Sequence, residues 1–145
     1  MTPPDTAPPG SGQPGPAPFT DNCPCLSGEQ YGLCCGRFHS GAAQASTAEQ
    51  LMRSRYSAFV LLDAGYLLRT WHPDSRPAAL DLDHGLQWRR LDIVATRRGG
   101  PLDSEGIVEF KAHFRHHGGR GVHHETSRFV RVDRRWYYVD AVEFG

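Results

Sequence analysis

Apolar positions recur along this chain with two different periods, and the change falls near its middle. Between residues 46 and 80, Ala48, Leu51, Met52, Tyr56, Phe59 and Val60 lie three or four apart, with Glu49, Arg53 and Ser57 on the opposite side. That spacing predicts an amphipathic helix with one buried stripe. Thr47 ahead of it and Gln50 three residues later form a capping box, in which each side chain satisfies an orphan backbone donor. Asp63 is placed to cap a second helix that runs through Tyr66, Leu67 and Leu68 to Trp71. Pro73 ends it, because the residue before a proline is pushed out of helical geometry, and Asp74 starts one further short turn.

From residue 86 to 144 the period drops to two. Leu91, Ile93 and Ala95 alternate with Arg90, Asp92 and Val94, and Val108, Phe110, Ala112 and Phe114 alternate with Glu109, Lys111 and His113. Residues 122–132 and 135–143 are rich in Val, Phe, Trp and Tyr, which favour strands. Turns are expected at Arg98-Gly99-Gly100-Pro101, His117-Gly118-Gly119-Arg120 and Asp133-Arg134. Connections this short join antiparallel neighbours. Helices followed by an antiparallel sheet predict an α+β domain with the helices on one face.

Composition alters this picture at one end of the chain. The first twenty residues hold seven of the eleven prolines, a single charged residue, Asp5, and a single aromatic, Phe19. Such a stretch buries too little apolar surface to offset its ordering entropy and is expected to be a disordered tail. It has neither a basic start nor an apolar run, so it does not read as a secretory signal. The longest apolar run, Ala58-Phe59-Val60-Leu61-Leu62, is far short of the ~20 residues of a membrane helix. A cytoplasmic location is expected, with no membrane partner. Sixteen basic residues balance sixteen acidic ones, so no global field attracts nucleic acid.

All four cysteines, Cys23, Cys25, Cys34 and Cys35, fall within thirteen positions. Four thiolates, or three and a histidine, complete a tetrahedral zinc shell, and closed shells of that kind are structural. Gly28, Gly32 and Gly36 allow the loop to turn sharply enough to bring the two pairs together. A segment of about twenty residues has no core of its own, so metal binding would supply its folding energy. Disulfides are the competing reading, disfavoured because nothing points to an oxidising compartment; isolated buried thiols would not cluster in this way. His39 is an alternative fourth ligand, although four cysteines already fill the tetrahedron.

The segment from Cys23-Pro24-Cys25-Leu26-Ser27-Gly28 to Tyr31-Gly32-Leu33-Cys34-Cys35-Gly36 resembles the SEC-C motif. This is the short zinc module at the C-terminus of the translocation motor SecA and of many other bacterial proteins. His39, the stretch from Leu51 to Phe59, Leu67-Leu68-Arg69-Thr70-Trp71-His72-Pro73, His124-Glu125-Thr126-Ser127-Arg128-Phe129 and Trp136-Tyr137-Tyr138-Val139-Asp140 resemble the bacterial YchJ-like family. The resemblance implies a SEC-C module ahead of a domain similar to nuclear transport factor 2, a cone of curved antiparallel sheet closed by helices. The domain organisation expected is therefore a tail over 1–20, a zinc module over 21–40 and the cone over 46–145. Longer family members carry a second SEC-C module at the C-terminus, for which residues up to Gly145 offer no counterpart.

The resemblance implies zinc as cofactor and no particular reaction. In SecA the module contacts a chaperone and ribosomes, which makes an adaptor with a protein partner the first functional expectation and nucleic acid at most an indirect partner through ribosomes. The second is a small-molecule enzyme, because related cones include isomerases and dehydratases with an Asp or His in a pocket. Pocket candidates are Trp71, His72, Trp88, His123, His124, Glu125, Tyr138 and Asp140. His123 and Glu125 share one face of a strand, and Trp136, Tyr138 and Asp140 share one face of the next. Against catalysis, Glu125 and Asp140 are equally able to pair with Arg55 or Arg128, and no Ser-His-Asp order, phosphate loop or second metal cluster is visible. His116-His117 and His123-His124 are poor metal sites, since adjacent strand residues point to opposite faces.

Overall fold

A computed structural model describes residues 21–142; the expected tail over 1–20 lies outside them. After a 3-10 turn at Tyr31–Leu33 come α1 (Cys35–His39), α2 (Ala48–Val60) and α3 (Ala64–Arg69). Four strands follow: β1 (Leu86–Arg98), β2 (Glu105–His116), β3 (Gly119–Val132) and β4 (Arg135–Ala141). They form one sheet in the order β1-β2-β3-β4, antiparallel throughout, as the short connections require. No helix among the described residues is long and apolar enough to cross a membrane.

The caps fall where the sequence puts them. Thr47 Oγ1 accepts from Gln50 N at 3.1 Å, and Asp63 Oδ1 accepts from Tyr66 N at 3.0 Å. The return half of the capping box lands one residue early, because Gln50 Oε1 accepts from Ser46 N at 2.8 Å and Ser46 Oγ at 3.0 Å. Helix α3 stops at Arg69, two residues before the expected Trp71. The chain leaves the helix there to join the sheet: His72 N donates to Tyr138 O and Tyr138 N to Thr70 O, both at 2.8 Å.

Two hairpins close through tight pairs of left-handed residues, His117 and Gly118 (φ 50° and 80°) and Asp133 and Arg134 (φ 51° and 69°). This turn geometry matches the twist of the strands it joins. Between β1 and β2, Gly99 lies against Gly106: a Cβ on Gly106 would sit 2.5 Å from Gly99 Cα. That bare contact lets α2 dock its first residue on the sheet, with Ala48 N donating to Gly99 O at 2.9 Å.

Strand β1 breaks register between Trp88 and Arg90 and between Ile93 and Ala95. Such bulges bend a sheet and raise its twist. The second one corrects the expected alternation: Leu91 is buried, but Ala95 pairs with Glu109 on the outer face and is exposed. The concave face packs Leu91, Val108, Phe110, Ala112, Phe129 and Trp136 against Leu51, Met52, Tyr56, Tyr66 and Leu67 of the helices.

Helix α2 differs from its expected polarity. Ser57, expected on the solvent side, is fully buried, as are Ser54 and, nearly so, Arg55. The helix lies between two partners, with the sheet on one flank and the Cys-rich module on the other. The small residues Ser54, Ser57 and Ala58 permit both close approaches.

Candidate metal centre and cone cavity

The first cysteine pair rides on a tight knuckle. Asn22 bridges to Gln30, Cys23 N donates to Glu29 O at 2.9 Å, and Leu26 N returns to Cys23 O at 3.1 Å. Leu26 and Gly28 both take positive φ, 63° and 92°, which reverses the chain between Cys25 and the second pair. Cys34 precedes α1, and Cys35 is its first residue. All four sulfur atoms lie within 4.8 Å of one another. The Cys25–Cys34 Sγ separation is 3.6 Å and no disulfide is present among the described residues. A tetrahedral shell with metal–sulfur bonds of about 2.3 Å puts its sulfurs about 3.8 Å apart, so the four thiols fit a single ion.

The surroundings support the same arrangement. Ser27 Oγ lies 3.2 Å from Cys34 Sγ, and Ser57 Oγ lies 3.7 Å from Cys23 Sγ. Arg53 Nη1 donates to Cys25 O at 3.1 Å while its Nε holds Glu49 at 3.0 Å. Hydrogen bonds of this kind orient metal ligands. The thiols share protons unevenly: hydrogen bonds from Cys25 and Cys35 pull Cys23 well below the ordinary thiol range, while the contact with Cys23 pushes Cys25 up to about 11 and Cys35 higher still. Crowded thiols cannot all ionise unaided; a divalent cation removes that obstacle.

His39 stands outside the cluster. Its Nδ1 lies 2.7 Å from Tyr31 Oη and its Nε2 2.8 Å from Ser54 O. A carbonyl accepts only from an N–H, so Nε2 carries the proton and Nδ1 accepts from the tyrosine. Burial holds its pKa below the ordinary 6.5. His39 is thus a neutral tie between the module and α2, reinforced by Arg69 Nη2 donating to His39 O at 2.8 Å.

The second gathering of polar groups lies inside the cone, in a cavity of about 330 Å³. Of the residues expected to line a pocket, Trp71, Trp88, His123, Glu125 and Tyr138 do so. Glu125 is the focus: its carboxylate accepts from His123 Nε2 at 2.9 Å, Ser127 Oγ at 2.6 Å and Tyr138 Oη at 3.0 Å. Burial, and then the charge of Glu125, pushes the Tyr138 phenol well above its ordinary range.

Three expected residues lie elsewhere. Asp140 is on the outer face, 3.3 Å from Arg128, because the pairing shifts from Phe129↔Tyr138 to Arg128↔Asp140 and passes over Val139. His72 is turned toward Asp74, with its ring against Tyr137. His124 faces outward to Glu109 at 2.6 Å. The neighbouring histidines thus divide among separate carboxylates, His116 pairing with Asp83 at 2.9 Å.

Arg55, expected only as a counter-ion for Glu125 or Asp140, itself lines the cavity and forms no ion pair with any described residue. Ser57 against the thiols and Arg55 in the cavity are the functional neighbours that helical periodicity misses. The signal for them is the cluster Ser54-Arg55-Tyr56-Ser57-Ala58, which is too small and too mixed for a one-faced helix.

Two family models match the chain: a SEC-C motif over residues 20–37 and "YchJ, middle NTF2-like domain" over 47–141. A UPF0225 protein of Streptomyces coelicolor is 55% identical over 83% of this chain and 94% of its own length. Two solved structures are similar. The solution structure of a SEC-C motif containing protein from Rhodopseudomonas palustris has a TM-score of 0.73 and 34% identity, covering 86% of this chain and 99% of that one. The crystal structure of a SEC-C motif containing protein from Psychrobacter arcticus has a TM-score of 0.66 and 31% identity, covering 88% of this chain and 86% of that one.

Proposed function

Because the chain belongs to the YchJ-like family of SEC-C motif proteins with a nuclear transport factor 2-like domain, we propose that it is a zinc-binding protein whose metal is structural and whose working surface lies elsewhere. The ligands are Cys23, Cys25, Cys34 and Cys35. The observation that carries this reading is the convergence of four sulfurs within 4.8 Å beside a histidine whose two ring nitrogens are already engaged. Four soft donors close a tetrahedron, which leaves no position for substrate. Zinc supplies the charge that lets four adjacent thiolates coexist and fastens residues 21–40 to α2. Metal analysis of the purified protein should return about one zinc per chain. A stoichiometry near zero in protein purified without chelator would refute it.

The cone is the working part: a small-molecule chamber rather than filled core. A cavity of about 330 Å³ lies within the range of small-molecule sites, ~300–1,000 Å³, and Glu125 is held there by three donors rather than by an arginine. Screening aromatic fragments for shifts of the Trp71 and Trp88 indole signals tests this; silence across the screen would count against it. An adaptor role for the module is a separate reading, favoured by Leu26 and Leu33 standing 55% and 64% exposed beside the ligands. Replacing both by Ser should then remove protein partners that co-purify with the wild type while zinc content stays unchanged.

A further inference from the structure

Arg55 sits on α2 with 4% of its surface exposed. One of its nitrogens is structurally engaged. Nη1 donates to Leu67 O at 2.8 Å and to Thr70 Oγ1 at 2.7 Å, satisfying acceptors at the end of α3. Nε and Nη2 make no hydrogen bond to any described residue. A buried guanidinium is ordinarily paired, because desolvating a charge without a partner is costly. The rings of Tyr138 and Trp71, 4.6 and 5.3 Å from Cζ, offset part of the charge but offer its donors no acceptor.

Among the described residues the cavity wall offers no other group that fills the gap. Glu125 is the acidic residue of its wall, and its oxygens are taken by His123, Ser127 and Tyr138. The buried Nε1 atoms of Trp71 and Trp136 likewise lack a hydrogen-bond partner among the described residues, but both are closed off from the cavity space and offer a ligand no donor. The unengaged donors of Arg55 therefore belong to a chamber whose remaining wall is largely aromatic, with Tyr56, Phe59, Trp71, Trp88 and Phe110.

We propose that Arg55 anchors the carboxylate of a small aromatic acid inside the cone, the ring lying among the cavity aromatics. This deepens, and rests on, the reading of the cone as a small-molecule chamber. A carboxylate offers two coplanar acceptors to the fork of a guanidinium, and a flat apolar body suits walls that stack. A single arginine with Glu125 in the same wall favours a monoanion over phosphate, whose second charge would meet that carboxylate unscreened.

The test uses the full zinc-loaded chain, with calorimetry for affinity and the indole N–H resonances of Trp71 and Trp88 for location. Benzoate, cinnamate and indole-3-acetate are titrated beside two neutral analogues, cinnamamide and cinnamyl alcohol. The acids should move the Trp71 N–H signal, and cinnamate should bind about tenfold or more tighter than cinnamamide. Arg55→Gln should erase that preference and Arg55→Lys should restore part of it. Equal affinity for acid and amide, or a preference that survives Arg55→Gln, overturns the anchor while leaving the chamber intact. Failure of every probe to move either indole signal overturns the anchor and the chamber together. Should Arg55→Gln not fold, the comparison of acid with amide on the wild type decides alone.

Discussion

The thiol cluster and the cone cavity are both buried gatherings of chemistry-bearing side chains, and they differ in whether they are complete. The four sulfurs turn toward one another and lie within 4.8 Å, with hydroxyls of Ser27 and Ser57 beside them. Such a set needs one ion at its centre and has no use for anything larger. The cavity encloses about 330 Å³, completes the bonding of Glu125 and leaves Arg55 with donors to spare among the described residues. A donor set that a single ion closes marks a structural site, whereas residual bonding capacity beside a cavity marks a binding one. Helix α2 joins them: Ser57 faces the thiols and Arg55, two residues away, faces the cavity.

The strongest way to break this contrast is to take the metal away. Chelation, or Cys35→Ser, should release zinc and unfold residues 21–40, since metal binding supplies that segment's folding energy. The β2–β3 pairing is expected to survive. Hydrogen exchange should therefore rise steeply in the module and moderately along α2, whose Ser54 carbonyl loses its bond to His39. Uniform exchange over module and sheet would mean that the two regions are one cooperative unit.

A smaller effect should come from His39. Burial keeps its folded pKa below the ordinary 6.5, so folded and unfolded chains are both neutral well above that pH and nothing depends on it there. As pH falls below 6.5 the unfolded chain takes up a proton that the folded one resists, and stability declines by at most about 1.4 kcal/mol per pH unit. His39→Gln should flatten that slope in denaturation curves while zinc content holds. Loss of zinc with this variant would make His39 a ligand.

Within the cavity, Tyr138→Phe removes one of three donors to Glu125 and should cost about 1 kcal/mol in urea denaturation. No change would indicate that the array is not formed in solution. The least effect is expected from Asp140→Asn. Its partner Arg128 and Asp140 itself are half exposed, so stability should shift by no more than about 0.5 kcal/mol and arylcarboxylate binding should not move at all. A changed affinity would return Asp140 to the cavity.

What can be read from the sequence follows the range of the interaction. The thiol cluster is local: thirteen positions, small glycines and paired cysteines specify it without reference to the rest of the chain. The helix caps at Thr47 and Asp63 are local too. Ser57 escapes a periodic reading because a polar flank reads as a wet one, and only the docked module turns it into an interface. Asp140 and Ala95 escape it because bulges at Val139 and Val94 reverse every face beyond them, and alternation carries no mark of a skipped residue. His72 escapes it because its backbone bond to Tyr138, a contact distant in sequence, fixes where its ring turns.

X-ray absorption at the zinc edge of the purified protein tests the closed site most directly. A first shell of four sulfurs at about 2.3 Å with no lighter atom is the result expected. A nitrogen or oxygen in that shell would mean that His39 or water completes the site, and the division between a finished metal centre and an unfinished cavity would fail.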